Sequence, residues 1–245
     1  MKYILILILI TIGVTHTTMQ AKADTQTSGY VTTQDHEEIH YIRKGKGTPL
    51  ILLHGNGQSA AYFKSQMDLP FDNIAIDSRN HGKSSSTQEL NFKLMAHDVL
   101  DVLNALHIEK ADILGFSDGA NLAMVFAKNY PHRVNKLILN SGNLKFSDLR
   151  LLSKITSILQ NFFFNTPVTE LLVKNVGVKK TDLSKFNMPV LVIVGQYDLI
   201  KKSSSKKIAR YCHGDFVVIP KAFHKASQTR PKLFNQIVTQ FLQVN

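Results

Sequence analysis

The sequence predicts an α/β fold, built as a mostly parallel, twisted sheet with helices on both faces. Three observations predict it. Runs such as Leu50-Ile51-Leu52-Leu53 have strand length and are apolar throughout, as strands covered on both faces must be. Longer stretches with an apolar period near 3.6 lie between such runs, so strand and helix alternate. The 245 residues carry 44% apolar side chains, enough for one large core, and no repeat suggests a solenoid or propeller.

The elements follow in order. Residues 25–29 are small and polar. Residues 30–43 alternate like a strand, Gly45-Lys46-Gly47 forms a turn, and residues 50–53 follow. These first two strands read as an antiparallel hairpin at the sheet edge. Residues 73–77 give the next strand. Residues 91–106 form a helix, with Leu94, Met95, Val99, Val102, Leu103 and Leu106 on one stripe. Residues 111–116 return to strand, 119–130 form a short Ala-rich helix that ends before Pro131, and 134–140 are strand again. Residues 190–195 and 216–219 are the last strands, with helices at 203–210 and 229–242. Residues 144–187 break the rhythm. They carry no strand signal, but an apolar helix at 148–164 and a shorter one at 167–176. The expected layout is therefore a core of residues 24–143 and 188–245, with 144–187 as a small helical cap.

The first residues read as a secretory leader. Lys2 precedes an apolar run from Tyr3 to Val14, and Ala21-Lys22-Ala23 is a small-x-small cleavage site, so residues 1–23 are expected to be removed. An uncleaved anchor is the alternative. The expected location is secreted or extracytoplasmic. Cys212 is the sole cysteine, which excludes an intramolecular disulfide and reads as a structural thiol. The formal charge is +11; without Lys2 and Lys22 it is +9. The lysines are scattered and no nucleic-acid motif accompanies them, so no nucleic-acid partner is expected. The charge suits solubility and loose association with an anionic cell surface. Monomer and homodimer both stay open.

The chemistry centres on Gly115-Phe116-Ser117-Asp118-Gly119, which follows a strand and opens a helix. That is the context of a G-x-S-x-G nucleophile elbow. The turn is so tight that the residues two before and two after the Ser must be small. A Ser nucleophile needs a base, and the base needs an orienting acid. Asp198 follows the strand at 190–195, and His224 follows the strand at 216–219. Both fall at carboxyl ends of parallel strands, where open α/β sheets place their chemistry. Asp182, Asp215 and His213 precede predicted strands and so fall at the wrong edge. In His54-Gly55-Asn56-Gly57, two glycines let a loop turn its N–H groups inward. The backbone N–H groups of Asn56 and Asp118 are the expected oxyanion hole, each worth roughly 2.7–4 kcal/mol of transition-state stabilisation. His54 is expected to be structural.

These segments, together with Asp77-Ser78-Arg79-Asn80-His81-Gly82-Lys83-Ser84, resemble the α/β-hydrolase superfamily in order and spacing, over residues 30–244. The resemblance implies a serine hydrolase with the triad Ser117, Asp198 and His224 and no cofactor. Two details depart from the family's pattern: Asn80 stands where members often have Gly, and the cap is short. The superfamily covers esterases, lipases, thioesterases, peptidases, amidases and dehalogenases; the Ser nucleophile points away from the last.

A competing motif, His36-Glu37-Glu38-Ile39-His40, matches the zinc-protease signature. That chemistry needs both His on one helix face. Here the stretch is strand-like, and on a strand the two would lie about 13 Å apart, so no metal is expected. The cap would shape an apolar pocket, with Phe162, Phe163 and Phe164 either contacting the acyl group or packing the cap onto the core. The expected substrate is a carboxylic ester of small or medium acyl chain. An amidase or peptidase, an acyltransferase, or a non-catalytic binding protein of the same fold are the alternatives.

Overall fold

A computed structural model describes residues 25–244; the expected leader lies outside them. The described residues form one eight-stranded sheet in the order β1-β2-β4-β3-β5-β6-β7-β8. The strands are β1 (Thr27–Thr32), β2 (Glu38–Lys44), β3 (Pro49–Leu53), β4 (Asp72–Ile76), β5 (Ala111–Phe116), β6 (Val134–Asn140), β7 (Val190–Gly195) and β8 (Asp215–Ile219). Only β2 runs antiparallel to its neighbours β1 and β4; the other pairings are parallel. The helices are α1 (Phe92–Ala105), α2 (Asp118–Asn129), α3 (Leu151–Phe164), α4 (Pro167–Leu171), α5 (Lys180–Leu183), α6 (Lys202–Tyr211), α7 (Ala226–Thr229) and α8 (Pro231–Gln243).

The continuous apolar strands are buried on both faces because alternate side chains enter different clusters. In β3, Ile51 and Leu53 pack into the cluster with Val99 and Val102 of α1 and Leu122 and Phe126 of α2. Leu50 and Leu52 point the other way, into the cluster of Phe63 with Phe234 and Val238 of α8. Burying one such side chain stabilises by about 1.5–3 kcal/mol, so the sheet is the rigid part of the molecule. The parallel register aligns the carboxyl ends: Leu53 lies beside Gly115, Phe116 beside Asn140, Asn140 beside Ile193, and Gly195 beside Ile219. The loops that follow these strands therefore meet above one edge.

The edge hairpin differs from the sequence reading. The expected single strand over 30–43 is broken at Thr33–Glu37, and the hairpin is β1 with β2 rather than β2 with β3. The break has a polar cause. Thr33 and Glu37 close the turn (Thr33 N–H to Glu37 O, 2.8 Å), His36 takes a left-handed φ of 68°, and Asp35 is drawn away to Arg79. Freed from β3, β2 pairs instead with β4.

Candidate active site

The elbow forms because its two glycines leave room. A Cβ on Gly119 would lie 1.9 Å from the Leu53 carbonyl oxygen, and one on Gly115 2.2 Å from the Gly119 oxygen. No larger residue could bring α2 so close under β3 and β5. Ser117 itself sits at φ 53°, ψ −118°, a conformation that costs a non-glycine residue on the order of 1–3 kcal/mol. Its neighbours over-determine it. The Ser117 N–H donates to Asn140 O (2.8 Å), while its carbonyl accepts from Ala120 and Asn121 at 2.9 and 3.1 Å. The hydroxyl is thereby lifted off the sheet onto the carboxyl edge.

There it meets the two other expected residues. Ser117 Oγ lies 3.0 Å from His224 Nε2, and His224 Nδ1 lies 2.7 Å from Asp198 Oδ1. Phe116 supports the imidazole, with ring centroids 5.0 Å apart, and is itself stacked on Tyr62 at 4.6 Å. Asp198 is buried, which by itself would raise its carboxyl. Hydrogen bonds from His224, the Ile200 N–H and Ser141 outweigh that and hold it below the usual carboxylate range. Asp215 opens β8 and His213 lies in the turn before it, both at the opposite edge from Ser117; Asp182 in α5 pairs with Lys128 at 3.0 Å.

Ser141 was not among the residues singled out by sequence. Its hydroxyl donates to Asp198 Oδ2 at 2.7 Å and lies 3.4 Å from the His224 carbonyl oxygen. It is buried, with a left-handed φ of 60°. The signal was present: Ser141 follows directly on the predicted strand 134–140, at the edge that also selected Asp198 and His224.

The loop after β3 sits beside the elbow. Gly55 packs so closely that a Cβ there would meet Phe116 and the Ser117 Cβ at 3.1 Å. The Asn56 amide donates to Asp118 Oδ2 (2.9 Å) and to the Val168 carbonyl of α4 (2.7 Å), which ties the loop to both α2 and the cap. Its side chain is thus an anchor. The Asp118 N–H lies in the first turn of α2, where backbone donors have no intrahelical acceptor. Burial raises the Asp118 carboxyl, and the amides of Asn56 and Asn121 work against that rise. His54 uses both ring nitrogens, Nδ1 donating to Gly55 O at 2.8 Å and Nε2 accepting from the Ser78 N–H at 3.0 Å. Burial, with His81 beside it, pushes its pKa down to about 4, so it stays neutral.

The segment after β4 braces this loop. Asp77 accepts from His40 Nδ1 (2.8 Å) and from the Ala60 and Lys83 N–H groups. Arg79 is buried between Asp98 and Asp35. Asn80, the departure from the family's glycine, has a φ of 63°. Asn is one of the few residues that tolerate this region, and its amide brackets Thr87. In the metalloprotease-like stretch, His36 lies in the hairpin turn while His40 lies in β2 and bonds Asp77. Among the described residues no group of three His, Cys, Asp or Glu is placed to hold a metal ion.

A cleft of about 560 Å³ opens over Ser117 and His224, walled by the loop after β3, α3, α4 and Ile200. The expected placement of the Phe run is corrected here. α3 turns Ser153, Thr156, Ser157 and Gln160 to the cleft. Its apolar stripe faces solvent: Leu151, Ile155, Ile158 and Phe162, flanked by Leu152, Leu159 and Phe163. Phe162, Phe163 and Phe164 are 76, 72 and 67% exposed and line no part of the cleft, so they neither contact a substrate there nor pack the cap onto the core. The reason is registry: Ser153, Thr156, Ser157 and Gln160 recur at helical spacing and take the inner face, which leaves Phe162 and Phe163 outside, while Phe164, one turn past Gln160, closes the helix beyond the cleft. The cleft's apolar lining comes instead from Phe116, Leu149, Val168, Leu171, Leu172, Leu199 and Ile200.

Fold and site together define an α/β-hydrolase. The family model of the alpha/beta hydrolase fold matches residues 48–184, and the chain belongs to that family. Among curated proteins it is similar to the sn-1-specific diacylglycerol lipase of Danio rerio, 36% identical over 101 residues, 39% of this chain and 32% of the relative. The match thus spans about a third of that relative's length. Among solved structures it is similar to the carboxylesterase CesB of Bacillus subtilis (TM-score 0.76, 19% identity, 89% of this chain and 92% of that one). It is also similar to the enol-lactonase of Burkholderia xenovorans (TM-score 0.73, 17% identity, 88% and 100% covered).

Proposed function

We propose that this protein is a serine hydrolase that cleaves carboxylic esters of small or medium acyl chain through an acyl-enzyme on Ser117. The observation that carries the reading is the hydrogen-bonded chain Ser117 Oγ–His224 Nε2 and His224 Nδ1–Asp198, at 3.0 and 2.7 Å. His224 takes the Ser117 proton as Oγ attacks the ester carbonyl, then gives it to the leaving alcohol. Asp198 fixes the imidazole tautomer and stabilises the imidazolium. The N–H groups of Asn56 and Asp118 hold the oxyanion. Water, activated by the same His224, then releases the acid. The lipase, esterase and lactonase names of the proteins it resembles support an ester over an amide. The size of the cleft and its Leu149–Leu172–Ile200 lining support a modest acyl chain.

The test is a panel of p-nitrophenyl esters from acetate to palmitate beside anilide analogues, with Ser117→Ala and His224→Ala as controls, and a fluorophosphonate probe. Turnover should peak at short or medium esters, and only chains retaining Ser117 should be labelled. Anilide turnover without ester turnover would make it an amidase. Equal labelling of Ser117→Ala would reject the nucleophile. We also infer export, from Lys2, the apolar run Tyr3–Val14 and Ala21-Lys22-Ala23. N-terminal sequencing of the secreted protein should begin at Asp24.

A further inference from the structure

An amphipathic helix on a globular protein normally buries its apolar stripe. α3 does the reverse. Seven Ile, Leu and Phe side chains on its outer face are 46–76% exposed, while its Ser, Thr and Gln stripe faces the cleft. A patch of this kind marks a surface that meets something apolar. It continues beyond the helix. Arg150 N–H donates to Leu199 O at 2.9 Å, joining the start of α3 to the loop that exposes Tyr197 (51%) and Leu199 (47%). Phe223 is 62% exposed, and its ring lies 5.4 Å from that of Tyr197.

The charge on this face selects the partner. The three segments that form it, 149–164, 197–202 and 221–225, carry Arg150, Lys154, Lys201, Lys202, Lys221 and Lys225. Their one carboxylate is Asp198, which is buried against His224. A second copy of this chain would set six cations against six. An apolar stripe edged by cations instead matches an anionic lipid surface, where the stripe enters the acyl boundary and the cations meet the head groups. We propose that the outer face of α3, with the loops at 197–202 and 221–225, docks this protein on anionic membrane lipid. Among the described residues no helix is long and apolar enough to cross a membrane, so this is attachment in the plane of the interface.

The test is flotation of residues 24–245 with vesicles of phosphatidylcholine alone or mixed with phosphatidylglycerol. The protein should float with the anionic vesicles and stay behind with the neutral ones. Leu152→Gln/Phe163→Gln should lower partition by about tenfold or more, with hydrolysis of a water-soluble ester and the melting temperature unchanged. Lys202→Gln/Lys221→Gln should weaken binding and flatten its salt dependence. Ser117→Ala should float like wild type, which keeps docking separate from catalysis. No flotation, flotation indifferent to lipid charge, or flotation untouched by the α3 pair would overturn the proposal. So would a wild-type dimer in light scattering that the α3 pair converts to a monomer, because the face would then belong to a second copy.

Discussion

Ser141→Ala isolates a residue that acts on the site only through Asp198. Its hydroxyl gives Asp198 Oδ2 a 2.7 Å hydrogen bond in a place where both groups are buried. A hydrogen bond to a charged group contributes about 1.5–3 kcal/mol, and 1.36 kcal/mol is a factor of ten in rate. If all of it reached the transition state the loss would be about 10–150-fold. Asp198 keeps the Ile200 N–H at 3.0 Å, the Gly195 N–H at 3.2 Å and His224 itself, so the lower end is expected. The variant should therefore lose about tenfold in kcat with KM little changed. The pH profile carries the sign. Without Ser141 the carboxylate loses a bond that favoured its charged form, so its own pKa rises. Loss of rate on the acid side, where Asp198 takes up its proton, should therefore begin at a higher pH. Ser141→Thr, which keeps a hydroxyl, should restore most of the rate. The assay is steady-state ester hydrolysis across pH, with a urea midpoint to confirm folding. An alanine variant within twofold of wild type, with an unmoved acid limb, refutes Ser141 as a positioning residue.

Three further outcomes follow from other sites. Burial in β5 pushes the Asp112 carboxyl up to about 6, only partly offset by Lys136. The folded protein thus holds a proton between about pH 4 and 6 that the unfolded chain has released, and stability falls as pH rises through that window. Asp112→Asn should remove that fall and stabilise by about 2–3 kcal/mol near neutral pH, read from urea midpoints, with activity unchanged. Arg79→Met leaves Asp98 buried without its partner and should cost about 3–5 kcal/mol in the same measurement. Asn56→Ala cuts the ties to Asp118 and Val168 and frees the loop after β3; kcat should drop about tenfold or more with KM nearly constant, by steady-state kinetics.

What could be read from sequence depended on whether a residue's role is set by the backbone. Gly115 and Gly119 were legible because a tight turn excludes every larger residue, and the structure gives that exclusion as contacts of 2.2 and 1.9 Å. Asp198 and His224 were legible because parallel strands deliver their following loops to one edge. Ser141 obeys the same rule, but a hydroxyl after a strand has many uses, and its value depends on Asp198 lying 57 residues away. The β1–β2 hairpin was missed because its turn, Gln34-Asp35-His36-Glu37, has neither Gly nor Pro. It is held by the Asp35–Arg79 pair, a contact that no local pattern announces.

α3 shows a deeper limit. Hydrophobic period reports that a helix has two faces, and the step from there to which face is buried rests on the apolar one having a core to enter. A cap helix over a cleft has no core on either side. Ser153, Thr156, Ser157 and Gln160 could turn inward because the cleft offers space and polar neighbours such as Asn121 and Asn143. Once they did, Phe162 and Phe163 had only the outside left. The cleft-facing side of α3 therefore consists of groups that read as unremarkable in the sequence. The residues that looked like substrate contacts form the surface the protein shows to its surroundings. Selectivity for the bound molecule is then to be sought in the four polar side chains of α3, and attachment in the seven apolar ones of its outer face. The two can be varied independently because they never share a face.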